Sequence, residues 1–155
     1  MKHLILSLGV TMCFLVSAEK AQAHCEIPCG IYEDSLRIAL IMEHITTIEK
    51  SMNKIKEESA KATPNWNQLV RWVSNKEEHA KKIQDIVSQY FLHQRIKLTD
   101  PEDMVKYAKY QKHLGLLHQV LVYSMKAKQT TDQMYIDKLR KAVSGFEKAY
   151  FHKHG

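Results

Sequence analysis

The isoleucines between positions 38 and 55 constrain this chain more than any other feature. Ile38, Ile41, Ile45, Ile48, Met52 and Ile55 follow one another in steps of three and four. A helix turns once in about 3.6 residues, so this alternation draws one apolar stripe along one face. A strand, with side chains on alternate faces, cannot gather these positions on one side. The stripe predicts a long helix that buries one face against neighbours. Asp34 or Ser35 is placed to cap its start, and the stretch 61–64, with Pro64 at its end, breaks it.

Three more helices are expected. The second runs from Trp66 to Phe91 with Leu69, Val73, Ala80, Ile83, Val87 and Tyr90 inward. The same stripe turns Lys76 inward, where a lysine normally snorkels to solvent. Thr99-Asp100-Pro101-Glu102 reads as the start of a third helix, a capping residue followed by Pro in the first turn. Its inward positions are Met104, Ala108, Leu114, Leu117, Leu121 and Met125, with Gly115 a weak point that lets a neighbour approach. Thr131-Asp132 caps a fourth helix that turns Ile136, Leu139, Val143, Phe146 and Tyr150 inward. Four long amphipathic helices with short linkers predict an all-α fold, an antiparallel four-helix bundle. At 155 residues, 45% hydrophobic, with five Gly and three Pro, the chain suits one packed domain.

Residues 1–23 are expected to stand apart from that domain. Lys2 precedes an apolar run from Leu4 to Ala18, and Ala21-Gln22-Ala23 follows as an A-x-A site. These are the parts of a secretory signal peptide. The run is short for a membrane span, which takes about 20 residues. The expectation is cleavage between Ala23 and His24, export to the periplasm or beyond the cell, and no membrane attachment afterwards. The formal charge of +6 falls by one unit with the loss of Lys2, Lys20 and Glu19. That excess favours small anions by steering. It forms no basic stripe interleaved with aromatics, so nucleic acid is not an expected partner.

The bundle lacks the usual signatures of core chemistry. There is no Glu-x-x-His pair, no Cys-x-x-Cys-His and no Gly-rich phosphate loop. His44, His79, His113 and His118 read as surface or capping histidines, and Met42, Met52, Met104, Met125 and Met134 as packing.

The distinctive chemistry lies in His24-Cys25-Glu26-Ile27-Pro28-Cys29-Gly30-Ile31-Tyr32, directly after the expected cut. Pro28 and Gly30 make this a turn or hook. If the chain begins at His24, its α-amine titrates near neutrality beside its imidazole. That amine, the amide and thiolate of Cys25 and the thiolate of Cys29 would supply two nitrogens and two sulfurs in a plane, with the imidazole above. A planar set of this kind suits Ni(II) or Cu(II), whereas Zn(II) asks for a tetrahedron. Taken alone, the Cys25/Cys29 pair is equally compatible with a disulfide in an exported bundle, which an oxidising compartment permits.

The motif His24-Cys25-x-x-Pro28-Cys29-Gly30-x-Tyr32, followed by a bundle of this size, resembles the nickel hook of the nickel superoxide dismutases. The resemblance is plain in the hook and first helix and looser beyond them. It implies residues 24–32 as hook, 34–155 as bundle and one nickel ion per subunit. The implied reaction is disproportionation of superoxide to dioxygen and hydrogen peroxide through Ni(III)/Ni(II). His24, Cys25 and Cys29 would be the ligands, and Tyr32 the tyrosine that gates the open face. The Ile27-Pro28 bond matches one that is cis in the family. Glu26 stands where members often have Asp, and Tyr90 resembles a second tyrosine over the site. Members carry a Glu, backed by an Arg, that holds the axial imidazole. Aligning Arg37-Ile38 with the family's Arg-Ile places Ala39 at that Glu, which leaves Glu43 and Arg71 as candidates for the pair. The resemblance also implies a homohexamer and a processing protease. The alternatives are an exported nickel or copper binder without turnover, and a structural bundle closed by a Cys25–Cys29 disulfide.

Overall fold

A computed structural model describes residues 30–151 of the chain. The expected signal peptide and residues 24–29 of the hook lie outside the described residues. Among the described residues there are four α-helices and no strand. They are α1 (Asp34–Ser59), α2 (Trp66–Asp85), α3 (Met104–Gln129) and α4 (Met134–Phe151), with a π-helix (Ile86–Arg95) continuing α2. Helix α1 packs on α2, α2 on α3, α3 on α4 and α4 on α1, closing the bundle.

The isoleucine stripe of α1 is the spine of the core. Ile38, Ile41, Ile45, Ile48 and Met52 are buried together with Ala80, Ile83, Val87, Phe91, Leu117, Val120, Ile136, Leu139, Val143 and Phe146. Each large side chain so buried stabilises the fold by roughly 1.5–3 kcal/mol.

The other stripes depart from expectation in informative ways. In α3 the buried positions are His113, Leu117, Val120, Ser124 and Ala127, while Met104 is 80% exposed and Met125 40%. Helix α3 begins at Met104, capped by Asp103, which accepts from the Lys106 amide. Thr99 to Glu102 instead forms a turn in which Asp100 accepts from the Glu102 amide. With its first turn at the bundle's end, α3 has nothing over Met104 to bury it. Val73 is likewise 43% exposed, on the outer side of α2. Gly115 faces open space, and the close approach falls at Gly145, where a Cβ would stand 3.2 Å from Leu116 Cδ2.

Lys76 does not snorkel outward. Its amine is buried and donates to the carbonyls of Ala127 (2.9 Å), Lys128 and Thr130 (3.4 Å). These carbonyls close α3 and lack N–H donors within the helix, and a cation there complements the negative end of the helix dipole. Methionine was expected to pack throughout, and Met52 does so, but Met134 is 44% exposed.

Candidate metal centre

Gly30 leaves the hook with φ 74°, a left-handed conformation that an L side chain resists. Tyr32 follows, 43% exposed, immediately before α1. Its ring meets Tyr90 edge-on, with centroids 6.0 Å apart and planes at 68°. The Arg95 guanidinium lies over the Tyr32 ring at 4.3 Å, and the Arg37 guanidinium over the Tyr90 ring at 4.9 Å. The two tyrosines singled out in the sequence are therefore brought together.

The centre of this end is Asp34, which the sequence suggests only as a helix cap. No side-chain cap bond closes the start of α1. The Asp34 carboxylate reaches across the bundle instead. It accepts from Tyr90 Oη at 2.6 Å, Tyr150 Oη at 2.8 Å, and Arg95 Nε and Nη2, both at 2.8 Å. Burial alone would raise its pKa, but the hydrogen bonds from Arg95, Tyr90 and Tyr150 outweigh that and hold the carboxyl below its ordinary range. Burial and the neighbouring Asp34 charge push the Tyr90 phenol up, and Tyr150 up to about 12. Both phenols stay protonated at neutral pH and serve as donors. Arg37 buries its Nε with no hydrogen-bond partner among the described residues.

Two features explain how these groups converge. The first is the π-helix. Tyr90 and Arg95 are five residues apart, which at 3.6 residues per turn places them on different sides of an α-helix. The wider turn, marked by the bond from the Ile96 amide to the Phe91 carbonyl at 2.8 Å, brings both to Asp34. The second is an aromatic column beneath. Phe91 meets Tyr90 (5.1 Å), Phe146 (5.0 Å) and Tyr150 (5.9 Å), and His113 meets Phe146 and Tyr150, both at 5.7 Å. His113 is buried, not superficial as expected; its Nε2–H donates to the Ala149 carbonyl at 3.1 Å. Burial lowers its pKa and keeps the imidazole neutral. The column fixes the rings that hold Asp34.

The remaining candidates separate. His24, Cys25, Glu26 and Cys29 lie outside the described residues. Arg71 is exposed on α2 beside Gln68, Trp72 and Asn75. It lies 19 positions before Tyr90, ~28 Å along the helix axis at about 1.5 Å per residue. Glu43 is exposed on α1, where it acts electrostatically on His44 and His79. Neither Glu43 nor Arg71 shares in the Tyr32 cluster, whose carboxylate–guanidinium pair is Asp34–Arg95. A period-3.6 reading could not find that pair, because it depends on a π turn and on three helix ends meeting.

The described residues form a four-helix bundle with a tyrosine- and arginine-lined end, and the Cys/His motif precedes that bundle in sequence. The sequence profile of the nickel-containing superoxide dismutases matches residues 19–154, and the chain belongs to that family. No match was found among curated proteins or solved structures. Membership makes the protein an oxidoreductase with a nickel cofactor and superoxide as substrate. Among the described residues no helix is long and apolar enough to cross a membrane, and no group of three or more His, Cys, Asp or Glu could hold a metal ion. The donor chemistry of His24, Cys25 and Cys29 fits nickel: nitrogen and thiolate donors suit a planar Ni(II) ion.

Proposed function

We propose that the chain disproportionates superoxide at a nickel centre built from its processed N-terminus, after cleavage between Ala23 and His24. His24 contributes its amine and imidazole, Cys25 its amide nitrogen and thiolate, and Cys29 its thiolate. Bound there, nickel would supply a one-electron Ni(III)/Ni(II) couple for a disproportionation that takes two superoxides and two protons to dioxygen and hydrogen peroxide. Tyr32 covers the open face. Its position is held from behind by Tyr90 and Arg95. Asp34 offsets the charge of Arg95, and the Arg37 guanidinium beside the Tyr90 ring adds positive charge that draws a small anion toward this end. Asp34 acts as a positioning residue: it locks Tyr90, Tyr150 and Arg95 and leaves the Tyr32 hydroxyl for water or substrate.

The observation that carries this reading is the contact of Tyr32 with Tyr90, since the chain leaving the hook is fastened to the bundle by the two tyrosines of the family pattern. Export to the periplasm or extracellular space, a processing protease and a homohexamer belong to the same proposal. Trp66, Val70 and Val73 form an exposed apolar stripe along α2, a surface that such an assembly would cover.

A protein carrying one extra residue before His24 tests the mechanism. Every side chain is kept but the α-amine is displaced. The expected result is loss of nickel-dependent superoxide turnover; undiminished activity would refute ligation by the cut end. A stoichiometric Cys25–Cys29 disulfide without nickel would favour the structural bundle, and nickel binding without turnover the carrier.

A further inference from the structure

The seam between α1 and α2 carries nitrogen donors that the hook chemistry does not use. His44 on α1 and His79 on α2 face each other with Nδ1 atoms 3.1 Å apart, ring centroids 5.0 Å apart and planes at 75°. Two imidazole nitrogens on one metal ion, each at about 2.0–2.1 Å, lie about 2.9 Å apart at a right angle and about 3.4 Å at the tetrahedral angle. The observed separation falls between those limits. We propose that His44 and His79 form a second transition-metal site, a bis-imidazole clamp for a divalent ion such as Cu(II), Zn(II) or Ni(II).

The surroundings suit such an ion. Both rings are half-buried, and burial lowers both pKa values, aided at His44 by His79 and Lys82 and at His79 by Lys82. Both imidazoles are neutral near pH 7, the state in which they ligate. One Nδ1 now donates to the other; a shift of that proton to its own Nε2 frees both Nδ1 lone pairs with no net proton released. Glu43 acts on both rings, and its carboxylate favours a cation there. Lys82 opposes it, but its amine is paired with Glu78 at 2.7 Å. Buried Ile45, Ile48, Ala80 and Ile83 fix the two helices beside the rings, so the donors are held in place before any ion arrives. No third protein ligand stands ready among the described residues, so water completes the shell. The site therefore binds more weakly than a full protein cage, and Cu(II) more tightly than Ni(II) or Zn(II).

The test uses nickel-loaded protein, whose hook is already filled, titrated with Cu(II). The expected result is one further Cu(II) per chain, with coupling to two imidazole nitrogens in its electron paramagnetic resonance spectrum. His44→Gln or His79→Gln should leave one coupled nitrogen and weaken binding at least tenfold. The double variant should bind no second ion while keeping its nickel and its dismutase turnover. No ion beyond the nickel, or an unchanged two-nitrogen signal in the double variant, would overturn the proposal. Should the variants fold poorly, imidazole resonances of the unaltered protein decide the matter. Added Zn(II) must shift those of His44 and His79 together, and failure to do so also overturns it.

Discussion

The bundle withdraws two charges from open solvent, buried Lys76 and half-buried Asp34, and they are managed in opposite ways. At the Tyr32 end a carboxylate, Asp34, is served by four side-chain donor contacts from the π-helix and α4. Some 20 Å along α2, by the helical rise, a cation, Lys76, serves backbone carbonyls at the close of α3. The lysine does what a helix C-terminus needs wherever one is buried. The aspartate does something a helix start does not need, since a serine or threonine cap would suffice there. Its partners are titratable or aromatic, and they support an exposed tyrosine. The lysine closes a helix; the aspartate organises a surface.

Mutation should separate the two. The largest effect is expected from Asp34→Ala, which leaves Arg95, buried Tyr90 and half-buried Tyr150 without their shared acceptor. Breaking a fully buried pair costs about 3–5 kcal/mol, so this half-buried one should cost about 3, read by urea unfolding, and turnover per nickel should fall with it because Tyr32 loses its backing. Lys76→Met should cost less, about 1–3 kcal/mol for unsatisfied carbonyls, with turnover per nickel unchanged. Equal losses of turnover in both variants would erase the distinction.

The smallest effect is a pH dependence confined to one end. Asp34 has a folded pKa below its ordinary value near 3.8. Its stabilisation is therefore fully present above the unfolded value of about 3.9 and is lost as pH falls through the lower folded value. The difference in unfolding free energy between wild type and Asp34→Asn should be constant from pH 5 to 7 and shrink below about pH 4. A wild-type advantage over Asp34→Asn that does not shrink as pH falls below about 4 would show that the carboxylate charge is not what binds the three helix ends.

How much of this was legible in the sequence varies helix by helix. The α1 stripe was read correctly because six aliphatic side chains repeat with a helical period and little else competes for that face. The α3 stripe is legible only in part: Leu117 is buried and Leu121 packs on the core, while Met104 and Met125 are exposed. Its true core positions include His113, Ser124 and Ala127, polar or small residues that a search for large apolar side chains passes over. Lys76 was correctly turned inward and wrongly sent back to solvent, because the carbonyls that receive it lie more than 50 positions away. The His44–His79 pair was invisible for a similar reason: each histidine is ordinary on its own helix, and only the register between α1 and α2 sets them face to face. Arg71 and Glu43 were chosen by alignment alone, and the fold puts them far from Tyr32 or on another seam.

The sequence by itself determined the four helices, the Cys/His motif and the family, because each is written in local spacing: a period along the chain, or donors a few residues apart. The tertiary structure alone decided which carboxylate, arginine and tyrosines stand behind Tyr32. That choice depends on where helix ends meet and on a π turn that moves Arg95 onto the face of Tyr90. Such geometry comes from packing between distant segments, and no local period encodes it.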